Sequence, residues 1–304
     1  MTMKTPQHHR AFLITVGWTL GLLFLGSLVH ATESSLACPD WPTCFGTMVP
    51  EMTGGVFWEH LHRLVAGGLL LFFLGATYLA WKEPVRMPWV RSATVVGFLL
   101  LLVQAVLGGI TVIFGLPDAI STSHLGLAFF FLGLATVLAL VSSPHWESGL
   151  GPEESARPAL RGWAVAAVAL TFLQSLVGAL VRHTDAGMAC PDVPLCLGEW
   201  VPPLQNGLVA LHFGHRILGV TLLVVVLILG HLAFWRSGSS RMRSLGVLAA
   251  ATVLAQVLLG FLSVYFRLGV TVVSLHTLFA ASLLTMVTAL ATLTWAPAGR
   301  DGSP

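Results

Sequence analysis

The amino-acid sequence predicts an all-α integral membrane protein in which eight transmembrane helices form two homologous four-helix bundles. Three observations predict this fold. Of the 304 residues, 56% are hydrophobic and only 9% are charged, whereas soluble domains carry roughly 25% charged residues. Eight apolar segments are long enough to cross a bilayer. The second four segments repeat motifs of the first four, which relates the two bundles by a pseudo-two-fold axis along the membrane normal.

Each apolar segment reaches the length of about 20 residues that a helix needs to cross a hydrocarbon core about 30 Å thick. The first segment is long for the apolar part of a signal peptide, and no convincing cleavage site follows it, so we expect a permanent helix. The predicted spans are residues 11–30, 61–81, 93–114, 119–141, 162–181, 208–235, 245–266 and 270–295.

The lysines and arginines predict the orientation of the spans. Most of them lie on one face of the predicted helical domain: Lys4, Arg10, Lys82, Arg86, Arg91, Arg157, Arg161, Arg236, Arg241, Arg243 and Arg300. The positive-inside rule then places both termini in the cytoplasm and the two cysteine-containing loops outside. The formal net charge of +2 is too small to indicate nucleic acid as a partner.

An internal duplication supports the two-bundle arrangement. Three pairs of blocks match at an offset of 152 residues, and a fourth pair, His62-Arg63 with His215-Arg216, matches at 153. The three pairs are 26–30 with 178–182, 37–44 with 189–196, and 104–124 with 256–276. The sequence therefore predicts an N-terminal half (1–145), a cytoplasmic linker (146–161) and a C-terminal half (162–304).

Four of the twelve histidines occupy matched positions near the outer ends of their spans: His62 with His215, and His124 with His276. At 1.5 Å per residue, all four lie within roughly 10 Å of the outer boundary. Haem iron accepts two axial imidazoles, and a porphyrin fits between the helices of a bundle. Zinc or copper would require further ligands. We expect each half to bind one haem, although the histidines could instead serve only as interhelical hydrogen-bond donors.

The residues beside these histidines suggest further roles. Arg63 and Arg216 are candidates to pair with haem propionates. Glu59 lies three residues before His62, on the same helical face, but His212 stands at the matching position in the second half. A carboxylate at that place can exchange protons and stabilise developing positive charge, so we expect Glu59 to be catalytic. The alternative is that Glu59 only caps the start of the helix.

The four cysteines form two Cys-x5-Cys pairs in the outer loops. We expect the disulfides Cys38–Cys44 and Cys190–Cys196. Each is either a structural staple or a site of thiol–disulfide exchange, and of the two loops exchange fits the first, above Glu59, better than the second. No Cys-x-x-Cys-His motif is present, so the haem should be bound non-covalently.

Together these features resemble the haem A synthase family, in particular its bacterial branch with cysteine pairs in both outer loops. The resemblance rests on the eight spans, the Cys-Pro-Asp-x-Pro-x-Cys loop, Glu-x-x-His-Arg at 59–63, and the histidines of spans four, six and eight. It implies a membrane oxidoreductase of the bacterial cell membrane that oxidises the methyl group of haem O to the formyl group of haem A for terminal oxidase biogenesis.

The resemblance also implies a division of labour and a set of partners. His215 and His276 would hold a permanent haem b, and His62 and His124 would bind haem O beside Glu59. The implied partners are an electron donor, haem O synthase, the assembly machinery of haem–copper oxidases and membrane lipid, and Gly67-Gly68 permits a homo-oligomer. Two alternatives use the same histidines: a bis-haem cytochrome b that exchanges electrons with quinone, and a haem transporter or chaperone.

Overall fold

The structure, a computed structural model, describes residues 5–85, 87–146 and 157–297. Most of the predicted linker, residues 147–156, lies outside the described residues, as do Lys4, Arg86 and Arg300 of the predicted charge pattern.

Eight long α-helices confirm the predicted all-helical fold. Every one is long and apolar enough to cross a membrane, with a mean hydropathy between 1.9 and 2.7 over its most apolar window. Their bounds are α1 Gln7–Ala31, α2 Gly54–Lys82, α3 Trp89–Ile113, α4 Asp118–Val141, α5 Arg157–His183, α6 Gly207–Arg236, α7 Ser240–Tyr265 and α8 Val270–Leu293. Short 3₁₀ helices at Pro144–Trp146 and Ala186–Met188 follow α4 and α5.

The start of α2 differs from its prediction, because the helix begins at Gly54 and not near residue 61. The first two turns carry Glu59 and His60, whose polarity ends the apolar segment in the sequence. Both side chains are nevertheless buried and hydrogen-bonded to the loop between α1 and α2. A polar residue with a partner can therefore continue a helix past the end of its apolar segment.

The helices pack as two closed rings of four. In the first ring α1 contacts α2, α2 contacts α3, α3 contacts α4, and α4 returns to α1; α5, α6, α7 and α8 repeat this order. The rings meet where α4 contacts α5 and α8, and where α1 contacts α8. The histidine-bearing helices of each half, α2 with α4 and α6 with α8, therefore lie diagonally across a ring.

One end of each ring is covered by a cysteine loop, residues 32–53 over the first ring and 184–206 over the second. We call this the loop end of the molecule. Farther from it, the first ring is filled by Phe73, which is fully buried and packs edge-on against Phe131 with 5.1 Å between ring centroids. Phe73 lies eleven residues beyond His62, or about 16 Å along α2. Phe73 and Phe131 therefore fill the interior of the first ring at that depth.

Candidate functional site

The four matched histidines are all seated in the same way. The imidazole of His62 on α2 lies against Gly26 on α1, and a Cβ added to Gly26 would lie 3.1 Å from its Cε1. The corresponding distances are 3.1 Å for Gly108 and His124, 3.0 Å for Gly178 and His215, and 3.2 Å for Gly260 and His276. Carbon atoms pack best at about 3.5–4.0 Å. Each imidazole therefore occupies space that any other residue at the glycine position would fill.

The contacts of these four glycines with the matched histidines were not predicted from the sequence. All four glycines lie inside the repeated blocks 26–30, 104–124 and their counterparts, so the duplication carried a signal for them. Glycine is frequent in transmembrane helices, however, and only the three-dimensional structure shows which glycines face an imidazole.

Each of the four imidazoles keeps one ring nitrogen without a hydrogen-bond partner among the described residues. Each of the four side chains is half-buried, and its Nδ1 is fully buried without a hydrogen-bond partner among the described residues. Most buried polar atoms are hydrogen-bonded, and the four matched Nδ1 atoms are among the exceptions within the described residues. His62 and His124 are close enough to interact electrostatically, as are His215 and His276. Each half thus brings two imidazoles, each with an unpaired Nδ1, toward one another across its ring.

The donor set fits haem better than a bare metal ion. The single group of three or more potential metal ligands found among the described residues is Cys38, Cys44 and His60, and the two cysteines of that group are joined in a disulfide. Neither histidine pair therefore has a third protein ligand beside it within the described ranges. A tetrahedral zinc site needs three or four such ligands, whereas haem iron needs two.

Three glutamines contact the histidine-bearing helices. The Nε2 of Gln104 donates to the main-chain carbonyl of His124 at 2.7 Å, and the Nε2 of Gln174 donates to that of His215 at 3.0 Å. The Nε2 of Gln256 lies 3.4 Å from the Nε2 of His276. Gln104 and Gln256 bound the repeated block used in the sequence analysis, but their contact with a histidine was not predicted.

Glu59 is the sixth residue of α2 and is 4% exposed. Its Oε2 accepts a hydrogen bond from the main-chain N–H of Cys38 at 2.7 Å, and its Oε1 accepts one from Nη2 of Arg63 at 2.5 Å. The alternative that Glu59 only caps the helix is wrong, because the helix begins at Gly54 with Thr53 at the capping position. Glu59 is instead a buried carboxylate that both connects α2 to the first cysteine loop and lies one turn from His62.

His212 occupies the equivalent place in the second half. Its Nδ1 lies 2.9 Å from the carbonyl oxygen of Ala186 and 3.4 Å from the main-chain nitrogen of Cys190. Nδ1 therefore faces both an acceptor, the Ala186 carbonyl, and a donor, the Cys190 N–H. The first half therefore places an Arg–carboxylate ion pair under its loop, while the second half places a guanidinium beside an imidazole.

Arg63 and Arg216 both bind the cysteine loops through main-chain carbonyls. Nη1 of Arg63 donates to the carbonyls of Asp40 and Thr43, at 2.7 and 2.6 Å. Arg216 donates to three loop carbonyls, those of Asp192, Leu195 and Cys190, at 3.0, 2.7 and 2.7 Å. This contact could not be predicted from the sequence, because a main-chain acceptor is present at every residue and leaves no signal there. The role of both arginines toward propionates stays a prediction.

Both predicted disulfides are confirmed, and all four cysteines are buried. An aspartate holds each loop in a tight turn. Asp40 accepts the Thr43 hydroxyl and the N–H groups of Phe45 and Gly46. Asp192 does the same for two N–H groups. These hydrogen bonds hold the pKa of both carboxyls below the usual range, with the Thr43 hydroxyl contributing most for Asp40 and the Gly198 N–H for Asp192.

The surroundings of the two disulfides differ. His60 is buried next to Cys38 and Cys44, and its Nε2 lies 3.0 Å from the carbonyl oxygen of Met48. Phe213 packs at the matching place against Cys190 and Cys196. His60 therefore faces the first cysteine loop.

Comparison with known proteins gives a consistent result. The family model COX15-CtaA, described as cytochrome oxidase assembly protein, matches residues 52–288. A haem A synthase of Halalkalibacterium halodurans is 32% identical over 71% of this chain and 72% of its own length. Haem A synthases of Symbiobacterium thermophilum and Lysinibacillus sphaericus are 31% and 30% identical, each over 91% of this chain and over 91% and 93% of their own lengths.

Proposed function

We infer that this chain, which belongs to the COX15–CtaA family of cytochrome oxidase assembly proteins, catalyses the oxidation of haem O to haem A. The observation that carries this conclusion is the set of four matched imidazoles, each seated on a glycine and with its Nδ1 unpaired, in a chain similar to haem A synthases over most of its length. Bound haem supplies the redox-active iron, and the protein supplies the axial ligands and the environment of the reacting edge.

We propose that the two halves have different tasks. His62 and His124 would bind the substrate haem O, and His215 and His276 would hold a haem b that transfers electrons. The asymmetry between Glu59 and His212 supports this assignment. A carboxylate held by two donors one turn from His62 can accept a proton from a reacting group or stabilise positive charge as it develops. The imidazole of His212, which lies against the Ala186 carbonyl, provides no fixed negative charge.

We also propose that the loop end lies on the outer face of the bacterial cell membrane, with both termini in the cytoplasm. The charge distribution along the helices supports this orientation, since the basic residues Arg10, Lys82, Arg91, Arg161, Arg236, Arg241 and Arg243 all lie at the helix ends remote from the cysteine loops. Arg91 and Arg161 stack over the rings of Trp81 and Trp295. Such aromatic residues are typical of the interfacial layer of a membrane.

Extraction and mass analysis of the non-covalent haems tests the proposed function. The protein is purified from cells that supply haem O, in parallel with Glu59→Gln as a variant that keeps both imidazole pairs. We expect haem B together with haem A in the wild type, and haem B with unconverted haem O in the variant. Haem B alone in both preparations would identify a bis-haem cytochrome b. Haem O without an oxidised product in the wild type would identify a carrier.

A further inference from the structure

Three of the four glycines that lie against a matched histidine share a second feature. A glutamine lies four residues, about one helical turn, before the seating glycine: Gln104 before Gly108, Gln174 before Gly178, and Gln256 before Gly260. The fourth seat departs from this pattern. Leu22 lies four residues before Gly26, which seats His62.

The glutamines contact the matched histidines through their main-chain carbonyls or their imidazoles. The amide of Gln174 donates to the main-chain carbonyl of His215 at 3.0 Å, and its Nε2 lies 3.4 Å from the imidazole Nε2. Gln104 bonds the carbonyl of His124, and Gln256 approaches the imidazole of His276. Inside a bundle of low dielectric constant a hydrogen bond of this kind is stronger than in water. It therefore restrains the position of the histidine-bearing turn.

A second substitution affects the same contact in the first half. A Cβ added to Gly219, one turn after His215, would lie 3.2 Å from Nε2 of Gln174. Gly219 thus leaves the space that the amide needs. Ala66 stands at the matching position, one turn after His62. The His62 site therefore has neither the amide donor nor the space beside it, although Gln104 still serves His124 in the same half.

We propose that Leu22 and Ala66 make His62 the most weakly held of the four ligand histidines, so that the first-half site releases its haem faster than the second. Gln174, through its bond to the His215 carbonyl, acts as a positioning residue that retains the haem of the second half. The proposal rests on the proposed function, in which the first half must take up haem O and release haem A while the second keeps its haem b. Only the site that takes up substrate haem and releases product haem needs a histidine that lets its haem go.

Haem transfer to excess apomyoglobin tests the proposal in the purified full-length protein. The protein is loaded at both sites, and haem loss is followed optically. We expect two phases in the wild type. Leu22→Gln combined with Ala66→Gly should slow the fast phase by about 3- to 10-fold, the range that one hydrogen bond supports, and should leave the slow phase unchanged. Leu22→Met is the matched control without an amide and should change neither phase.

The reverse exchange gives an independent test if the first variant fails to fold. Gln174→Leu with Gly219→Ala should speed the slow phase by a similar factor, and low-temperature electron paramagnetic resonance should show a changed low-spin signal for that site alone. If Gln174 and Gly219 had only a structural role, the double variant would lose thermal stability, but the rate of one phase of haem loss would not change relative to the other. Equal loss rates at the two sites of the wild type, or a fast phase unaltered by the amide, would overturn the proposal. A protein that binds no haem would refute the proposed function itself.

Discussion

Gly178→Ala should weaken haem binding in the second half while the fold is retained. The added methyl group would lie 3.0 Å from Cε1 of His215, about 0.5–1 Å inside the preferred carbon–carbon separation. The imidazole must move by that amount or the helices must separate. Overpacking of this size costs about 1–3 kcal/mol, which corresponds to a factor of about 5 to 150 in the binding constant.

The assay is a titration of the purified variant with haem B, followed by the low-spin optical spectrum. Gly214→Ala is the matched control, because a Cβ at Gly214 meets nothing within 4 Å although this glycine directly precedes His215. We expect wild-type affinity in the control and the calculated loss in Gly178→Ala. Unchanged affinity in Gly178→Ala, or equal losses in both variants, would refute the idea that the glycine seats the imidazole.

Three further predictions concern the first half and its loop. Glu59→Gln should abolish haem A formation without loss of the second-half haem spectrum; normal haem A production would remove the carboxylate from the mechanism. Replacing Cys38 and Cys44 together by alanine should lower the thermal stability of the protein, and wild-type turnover in that variant would reduce the disulfide to a structural staple. Because the folded-state pKa of Asp40 is lowered, its contribution to loop stability is complete above the ordinary carboxyl pKa and is lost as the pH falls through the lowered value. Near neutral pH, hydrogen exchange at the loop amides should therefore show no opening of the loop that depends on pH. Such opening should appear only in strong acid. Asp40→Asn should remove the transition, and an opening between pH 5 and 7 in the wild type would contradict the assignment.

Hydropathy and spacing predicted most of the fold correctly. The eight helices follow from apolar segments that must satisfy their own backbone hydrogen bonds in lipid, and the disulfides follow from two closely spaced pairs. The early start of α2 was missed because Glu59 and His60 resemble a loop until their partners in the first cysteine loop are known. Polar residues end an apolar segment without necessarily ending a helix.

The candidate site was predictable only as far as side-chain type carries information. The histidines stood out because imidazoles at matched positions are rare in transmembrane segments. The binding of Arg63 and Arg216 to main-chain carbonyls left no trace in the sequence. The glycine seats were visible as repeated residues, but whether Gly26 faces an imidazole or lipid depends on how the helices are rotated about their axes.

Electron paramagnetic resonance of the protein reconstituted with haem tests most directly the central claim that each half holds one haem between two imidazoles. The account predicts two haems per chain with low-spin bis-histidine signals, of which one is lost in His62→Ala and the other in His276→Ala. A protein that remains colourless after reconstitution would contradict it. So would a result in which the same haem signal is present in both His62→Ala and His276→Ala.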